Sequence, residues 1–246
     1  MNNVLKLSVV AAILAAGMVL SSSLLSKFFV RVRQEQAITV KGYAEQDVVS
    51  DVGKFTCSCN ERGNNLKEAY GKLQESRRAV MAYLEKAGFR ETEIVPGTIE
   101  TTKIAKRDAQ GKETNESEYV DVSQTIALSS SNVTLIKTVS TGITDLIKDG
   151  IDIRASPPSF FVSELKDVKL GLLAKATEDG YRRALALADN SKGKVGALIS
   201  AQQGVFQITE RNSTATSGCG EYDTSTIEKT AKAVVTLEYE IGPAGR

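Results

Sequence analysis

The stretch Ile38-Thr-Val-Lys-Gly-Tyr-Ala-Glu45 alternates apolar or small residues (Ile38, Val40, Gly42) with polar ones, the period of a half-buried strand. A turn at Gln46-Asp47 leads into a second strand pattern over Val48 to Cys59, in which Phe55, Cys57 and Cys59 share one face. The period then lengthens to that of a helix. Gly63-Asn64-Asn65 supplies turn and cap chemistry for a helix that buries Leu66, Ala69, Tyr70, Leu73, Val80 and Leu84 and closes at Gly88. Further on, Ile94 to Ile104 and Tyr119 to Leu128 read as strands around a polar hairpin tip, Arg107 to Ser117, with Val120, Val122, Gln124, Ile126 and Leu128 on one face. A second helix starts at Ser131 or Asn132, places Val133, Ile136, Val139, Ile143 and Leu146 on one side, and ends at Asp149-Gly150. Ile151 and Ile153 open another strand, interrupted by Pro157-Pro158. In the third and longest helix, Leu165, Val168, Leu172, Ala176, Gly180, Ala184 and Ala188 form a mostly small stripe suited to close approach to a sheet, and Gly193 and Gly196 end it. Strands over Val195 to Thr209 and Thr230 to Ile241 finish the chain, separated by a Ser/Thr/Gly-rich loop from Asn212 to Thr226. Hairpin-paired strands with helices between them define an α+β fold, mostly antiparallel, packed by three helices.

Composition excludes more than it names. The 246 residues are 41% apolar and 25% charged, an ordinary globular balance. There is no histidine. That removes Ser-His-Asp and Cys-His nucleophiles, histidine-ligated metals and the imidazole pH switch. With 31 basic against 30 acidic residues there is no basic excess of the kind nucleic-acid binders carry, and no nucleic-acid partner is expected.

Residues 1–26 hold a single charged side chain, Lys6, and from Leu7 to Ser26 there is none. A run of that length spans a bilayer core as a helix. Two readings fit: a cleaved signal peptide with small residues at Ser21 and Ser23, or an uncleaved anchor, which the resumption of the apolar run at Leu24-Leu25 favours. Lys27, Arg31 and Arg33 follow directly, in the charged linker 27–36, and by the positive-inside rule they argue against export. The folded domain is expected over 37–241, with a tail at 242–246.

Candidate chemical groups are few. Cys57 and Cys59 lie on one side of a strand, too far apart at Cα for easy bridging, and Cys219 sits far away in the Ser/Gly loop. The three thiols make a candidate redox or metal-buffering set, against which stands the plainer reading of two small core residues and an incidental loop cysteine. No Cys-x-x-Cys is present, and no basic neighbour lowers the pKa of Cys219. Glu113, Glu116, Glu118 and Asp121 cluster at the hairpin, where a solvated charge run explains them better than a glycosidase pair; Glu238 and Glu240 read as the solvent face of the last strand. Phosphate-binding glycine loops and the G-x-S-x-G elbow are missing. Three Asn-x-Ser/Thr matches (Asn115, Asn132, Asn212) matter only in a eukaryotic secretory host, and the pairs Arg77-Arg78 and Arg182-Arg183 read as solvated helix faces. No catalytic residue, no metal site and no cofactor is expected.

In their order, several segments resemble the SIMPL-domain family, which includes bacterial periplasmic immunogenic proteins linked to oxidative stress. Ile38 to Glu45 is similar to that family's opening "hydrophobic-x-V-x-G-x-G/A-E" strand. Lys86-Ala-Gly-Phe89 with Ile94-Val95 and Thr98 resembles its helix exit, and Gly142 to Ile153 the helix and strand before its third helix. Leu173 to Ala188, with Ala174, Ala176, Tyr181, Arg182 and Ala184, resembles its alanine-rich helix, and Lys194-Val-Gly196 that helix's exit. Ala44 stands where the family commonly has glycine, Val48-Val49 replaces a proline-containing turn, a Pro-x-Tyr motif is absent, and the cysteines fit no family pattern. The resemblance covers residues 37 to 241. It implies an extracytoplasmic α+β domain, often oligomeric, with no established catalytic residue to carry over.

The combined expectation is a noncatalytic domain of the cell envelope, tethered to the inner membrane by its N-terminal helix and facing the periplasm, or released there if the leader is cleaved. It self-assembles or binds a protein partner; a role in oxidative stress tolerance is implied by the resemblance alone. The alternative is a thiol-based redox or metal-buffering protein acting through Cys57, Cys59 and Cys219.

Overall fold

The computed structural model describes residues 17–18, 21–22, 37–214 and 218–243. The expected leader and charged linker therefore lie outside the described residues, except for two short helical pieces in which Ser21 Oγ donates to the Gly17 carbonyl at 2.8 Å. Among the described residues no helix is long and apolar enough to cross a membrane. From residue 37 onward the elements run β1 (Ala37–Val49), β2 (Val52–Gly63), α1 (Leu66–Ala87), β3 (Ile94–Arg107), β4 (Glu113–Ser130), α2 (Val133–Gly142), β5 (Ile153–Ala155), β6 (Ser159–Phe161), α3 (Leu165–Asn190), β7 (Gly193–Gln203), β8 (Gln207–Glu210), β9 (Glu221–Tyr222) and β10 (Glu228–Pro243). This is an α+β fold with three helices in that span. Among the described residues the chain forms two compact units, one of residues 37–44, 171–205 and 233–243, the other of residues 45–170, 206–214 and 218–232.

The second unit is built on strand alternation. The sheet lying wholly within it has the order β3-β4-β2-β5, with β6 also on β2. β2 runs antiparallel to β4, pairing Cys57 with Ile126 and Phe55 with Leu128. The shared face buries Phe55, Cys57, Cys59, Val120, Val122, Ile126 and Leu128 in one cluster with Leu73, Val80 and Leu84 of α1 and Ile136 and Val139 of α2. Asn65 caps α1, its side chain accepting from Glu68 N at 3.0 Å, and Gly88 closes it in the left-handed region (φ 108°). Leu66 and Tyr70, expected in the core, stand 47% and 46% exposed, because the inward stripe runs through Ala69, Leu73, Ser76, Val80 and Leu84. Beyond α1, Glu93 accepts from Arg90 Nε at 3.2 Å and from Ser130 Oγ at 2.6 Å, joining the helix exit to the end of β4.

In the first unit, the small stripe of α3 meets sheet backbone. Leu172, Ala176, Gly180, Ala184 and Ala188 are buried. A Cβ on Gly42 of β1 would lie 1.9 Å from the Ala176 carbonyl oxygen and 2.7 Å from Gly180 N, so only hydrogen fits there. Gly180 is confined less severely, a Cβ there lying 2.7 Å from the Leu237 side-chain tip and 3.3 Å from the Gly42 backbone. Asp179 accepts from Tyr43 N at 2.9 Å, and the rings of Tyr181 and Tyr239 stand 5.6 Å apart. β7 pairs antiparallel with β10, and β1 is also a neighbour of β10.

Several expectations are corrected. β1 continues through Gln46-Asp47 to Val49, and the chain turns at Ser50-Asp51. Asp47 is held in place by Thr230, which donates to its carboxylate at 3.0 Å, and by Arg211 at 3.0 Å. β1 and β2 join different sheets instead of forming a hairpin. The second helix keeps α geometry only to Gly142 and continues as a 3₁₀ helix over Ile143–Asp149. Through that stretch Thr138, Ser140, Thr141 and Thr144 donate their hydroxyls to carbonyls three or four residues back, competing with regular bonding. α3 stops at Asn190, short of Gly193, with Lys192 taking a positive φ of 58° while Asn190 and Ser191 side chains donate to the Ala186 and Leu187 carbonyls. The strand expected over 195–209 is two, β7 and β8, parted at Gly204, whose N–H donates to the Val234 carbonyl at 2.9 Å. β8 and β9 pair in parallel, which makes the sheet that holds them mixed, whereas the ladders of the β3-β4-β2-β5 sheet are antiparallel.

Gly42→Ala is expected to cost about 3 kcal/mol or more, since backbone atoms cannot move aside as a side chain can; urea denaturation measures it. The Arg90 and Ser130 hydrogen bonds lower the Glu93 carboxyl from 4.5 to about 2. A folded-state value below the unfolded one stabilises above pH 4.5 and fades as pH falls toward 2. The stability gap between the wild type and Glu93→Gln is therefore expected to be widest near neutrality and to close across that window.

Candidate functional site

Strand pairing gives β2 two contrasting faces. Inward point Phe55, Cys57 and Cys59; outward point Thr56, Ser58, Asn60 and Arg62. Register then assembles a polar surface from four separate segments. Asn60 pairs with Ser123 of β4, Ser123 with Glu100 of β3, and Asn60 N donates to the Asp152 carbonyl beside β5 at 2.9 Å. One row further, Arg62 pairs with Asp121, and Asp121 with Thr102. Together with Arg154 these residues line a cleft of about 310 Å³.

Not all of its charges are available. Arg62 donates from Nε and Nη2 to Asp121 at 2.7 and 3.0 Å, and its guanidinium lies 3.6 Å from the centre of the Tyr119 ring. That bidentate bond holds the Asp121 carboxyl below its ordinary value and raises Arg62. Glu61 accepts from the Ser76 hydroxyl of α1. Glu100, Asp152 and Arg154 remain exposed and make no ion pair among the described residues. The Asn60 side-chain nitrogen is buried without a hydrogen-bond partner.

The sequence-chosen residues are dispersed. Cys57 and Cys59 are each 1% exposed. Burial pushes Cys57 up to about 12, with Cys59 adding to it, and Cys59 up to about 11, with Glu61 and Asp152 adding to it. Both stay protonated at neutral pH, where the thiol is neither a nucleophile nor a metal ligand. Cys219 is exposed on its loop, and no disulfide joins it to the buried pair. Of the hairpin carboxylates, Glu113 and Glu116 pair with Arg107 and Lys106 at the exposed tip, and only Asp121 reaches the cleft. Among the described residues no group of three or more His, Cys, Asp or Glu is placed to hold a metal ion.

A second polar cluster was not singled out from the sequence. Lys229 is fully buried and pairs with Asp223 at 3.1 Å, also donating to the Thr226 carbonyl. Burial opposes charge on Asp223, but donation from Ser225, Thr226 and Lys229 outweighs it and keeps the carboxyl well below its ordinary range. Lys232 donates to the Ser213 carbonyl. These groups are saturated by one another, which makes the cluster an anchor for the loop. Alkylation of the native protein by iodoacetamide at mildly alkaline pH is expected to label Cys219 alone, and all 3 cysteines only after unfolding in urea. Mass spectrometry counts the adducts; rapid labelling of Cys57 or Cys59 in the folded chain would contradict their burial.

A family model, SIMPL, described as a protein of unknown function (DUF541), matches residues 38–240. None of the curated proteins compared with the chain matches it. The match begins in β1, beside the Gly42 contact, takes in the cleft and the three helices, and ends in β10. On that extent, the chain belongs to the SIMPL family.

Proposed function

We propose that this chain is a noncatalytic domain of the cell envelope, tethered to the inner membrane by its apolar leader and facing the periplasm, that assembles with copies of itself or docks a protein partner. Tolerance of envelope and oxidative stress is the role that the resemblance adds. One observation carries the docking reading. β7 has β10 as its single strand neighbour among the described residues, and it leaves Leu198 and Ile199 49% and 48% exposed. Exposed edges in monomeric proteins are usually blunted by lysine, proline or bulges. Here irregularities in the ladder with β10 flank Tyr239, but no charge and no proline occurs from Val195 to Gly204. An apolar, uncharged edge is suited to being covered. The noncatalytic part is supported by the cleft, where Arg62 engages the Asp121 carboxylate and the thiols behind the strand, Cys57 and Cys59, are buried and protonated.

Light scattering on the full chain in mild detergent, with detergent mass subtracted, tests the reading. A discrete oligomer is expected, and Ile199→Lys, which places a charge on the exposed strand, is expected to dissociate it while shifting Tm by less than about 4 °C. A wild-type monomer at every concentration would end the self-assembly half of the proposal.

A further inference from the structure

We propose that the cleft over β3, β4, β2 and β5 is a binding site for a short peptide with free termini and a lysine side chain. The cleft leaves several of its polar groups unmatched. Arg62 and Asp121 satisfy each other, and Glu61 is held by Ser76. Glu100 and Asp152 at the two ends and Arg154 beside Asp152 have no ion-pair partner among the described residues, and the buried Asn60 side-chain nitrogen has no acceptor. A buried donor without an acceptor is costly, and a ligand oxygen would relieve it. The complementary ligand therefore carries one anion, two cations and a carbonyl between them.

Spacing sets its length. Glu100, Ser123, Asn60 and Asp152 form a row across four adjacent segments, three strand spacings or about 14 Å. A row of that length suits an extended tripeptide at about 3.4 Å per residue with a lysine arm. A volume of about 310 Å³ also selects a small ligand. In this arrangement Arg154 takes the terminal carboxylate, Asn60 donates to a main-chain carbonyl, and Glu100 and Asp152 receive the two ammonium groups. The site lies within one compact unit and does not depend on the docking strand of the other.

Isothermal titration of the full chain in mild detergent with the tripeptide Ala-Lys-Ala tests this. Binding at one site per chain with Kd below about 1 mM is expected. Arg154→Gln is expected to weaken it roughly tenfold, and amidating the peptide's C-terminus to weaken wild-type binding by the same factor with no further loss in Arg154→Gln. Asn60→Ala, with an unchanged Tm, is expected to weaken both peptides alike. Absence of binding at several millimolar, equal affinity for the amidated peptide, or spermidine binding as tightly as Ala-Lys-Ala would each overturn the proposal. Oligomeric mass measured on Arg154→Gln keeps this outcome separate from that of the assembly reading, because the variant is expected to leave the mass unchanged.

Discussion

Backbone contact between Gly42 and α3 is the constraint on which the first unit depends. Helices usually stand about 8–10 Å from their neighbours because side chains intervene. Here the Ala176 carbonyl and Gly180 approach β1 so closely that a methyl group on Gly42 has no room. The approach requires small residues on both partners, which explains the stripe Ala176, Gly180, Ala184, Ala188 and the glycine inside an otherwise ordinary strand. Glycine weakens a strand interior by itself. Its place here is earned by the helix it admits, and Asp179 is thereby brought within hydrogen-bond reach of Tyr43 N.

Much of the fold was legible because it depends on local period. Phe55, Cys57 and Cys59 alternate on one strand and Val120 to Leu128 on another, and both sets are buried as that alternation requires. Caps were legible for the same reason: Asn65 and Gly88 act on residues within one turn of themselves. What was hidden depends on distant partners. Gln46-Asp47 reads as a turn until Thr230, 183 residues away, is seen bonded to the aspartate. Leu66 and Tyr70 fit a helical stripe as well as Ala69 and Leu73 do, and only the orientation against β2 separates them.

The cleft was hidden more deeply. Asn60, Glu100 and Arg154 look like unremarked polar positions of their own strands, and Asp152 like one just before β5. Only the register of β2 on β4 and of β4 on β3 brings them into one row. Cys57 and Cys59 were conspicuous for the opposite reason, being rare, although burial makes them unreactive. Rarity drew notice to the inward side of β2, while its open chemistry lies on the outward side. One strand thus carries the unit's core and its polar surface on alternate residues, and a change at either position is felt through the same backbone.

The buried Lys229–Asp223 pair has a consequence for how β10 finds its alignment. Replacing both partners by well-packed apolar groups can be neutral, whereas separating them leaves a charge without a counterion in the interior. Lys229 stands opposite Glu210 of β8, and Lys232 opposite Gln207. Sliding β10 by one position would turn each ammonium group to the face opposite its own, away from Asp223 and the Ser213 carbonyl, so misaligned pairings of this alanine- and valine-rich strand are penalised by stranded charge. The two lysines act as a key that admits one alignment out of several that apolar contacts alone would tolerate.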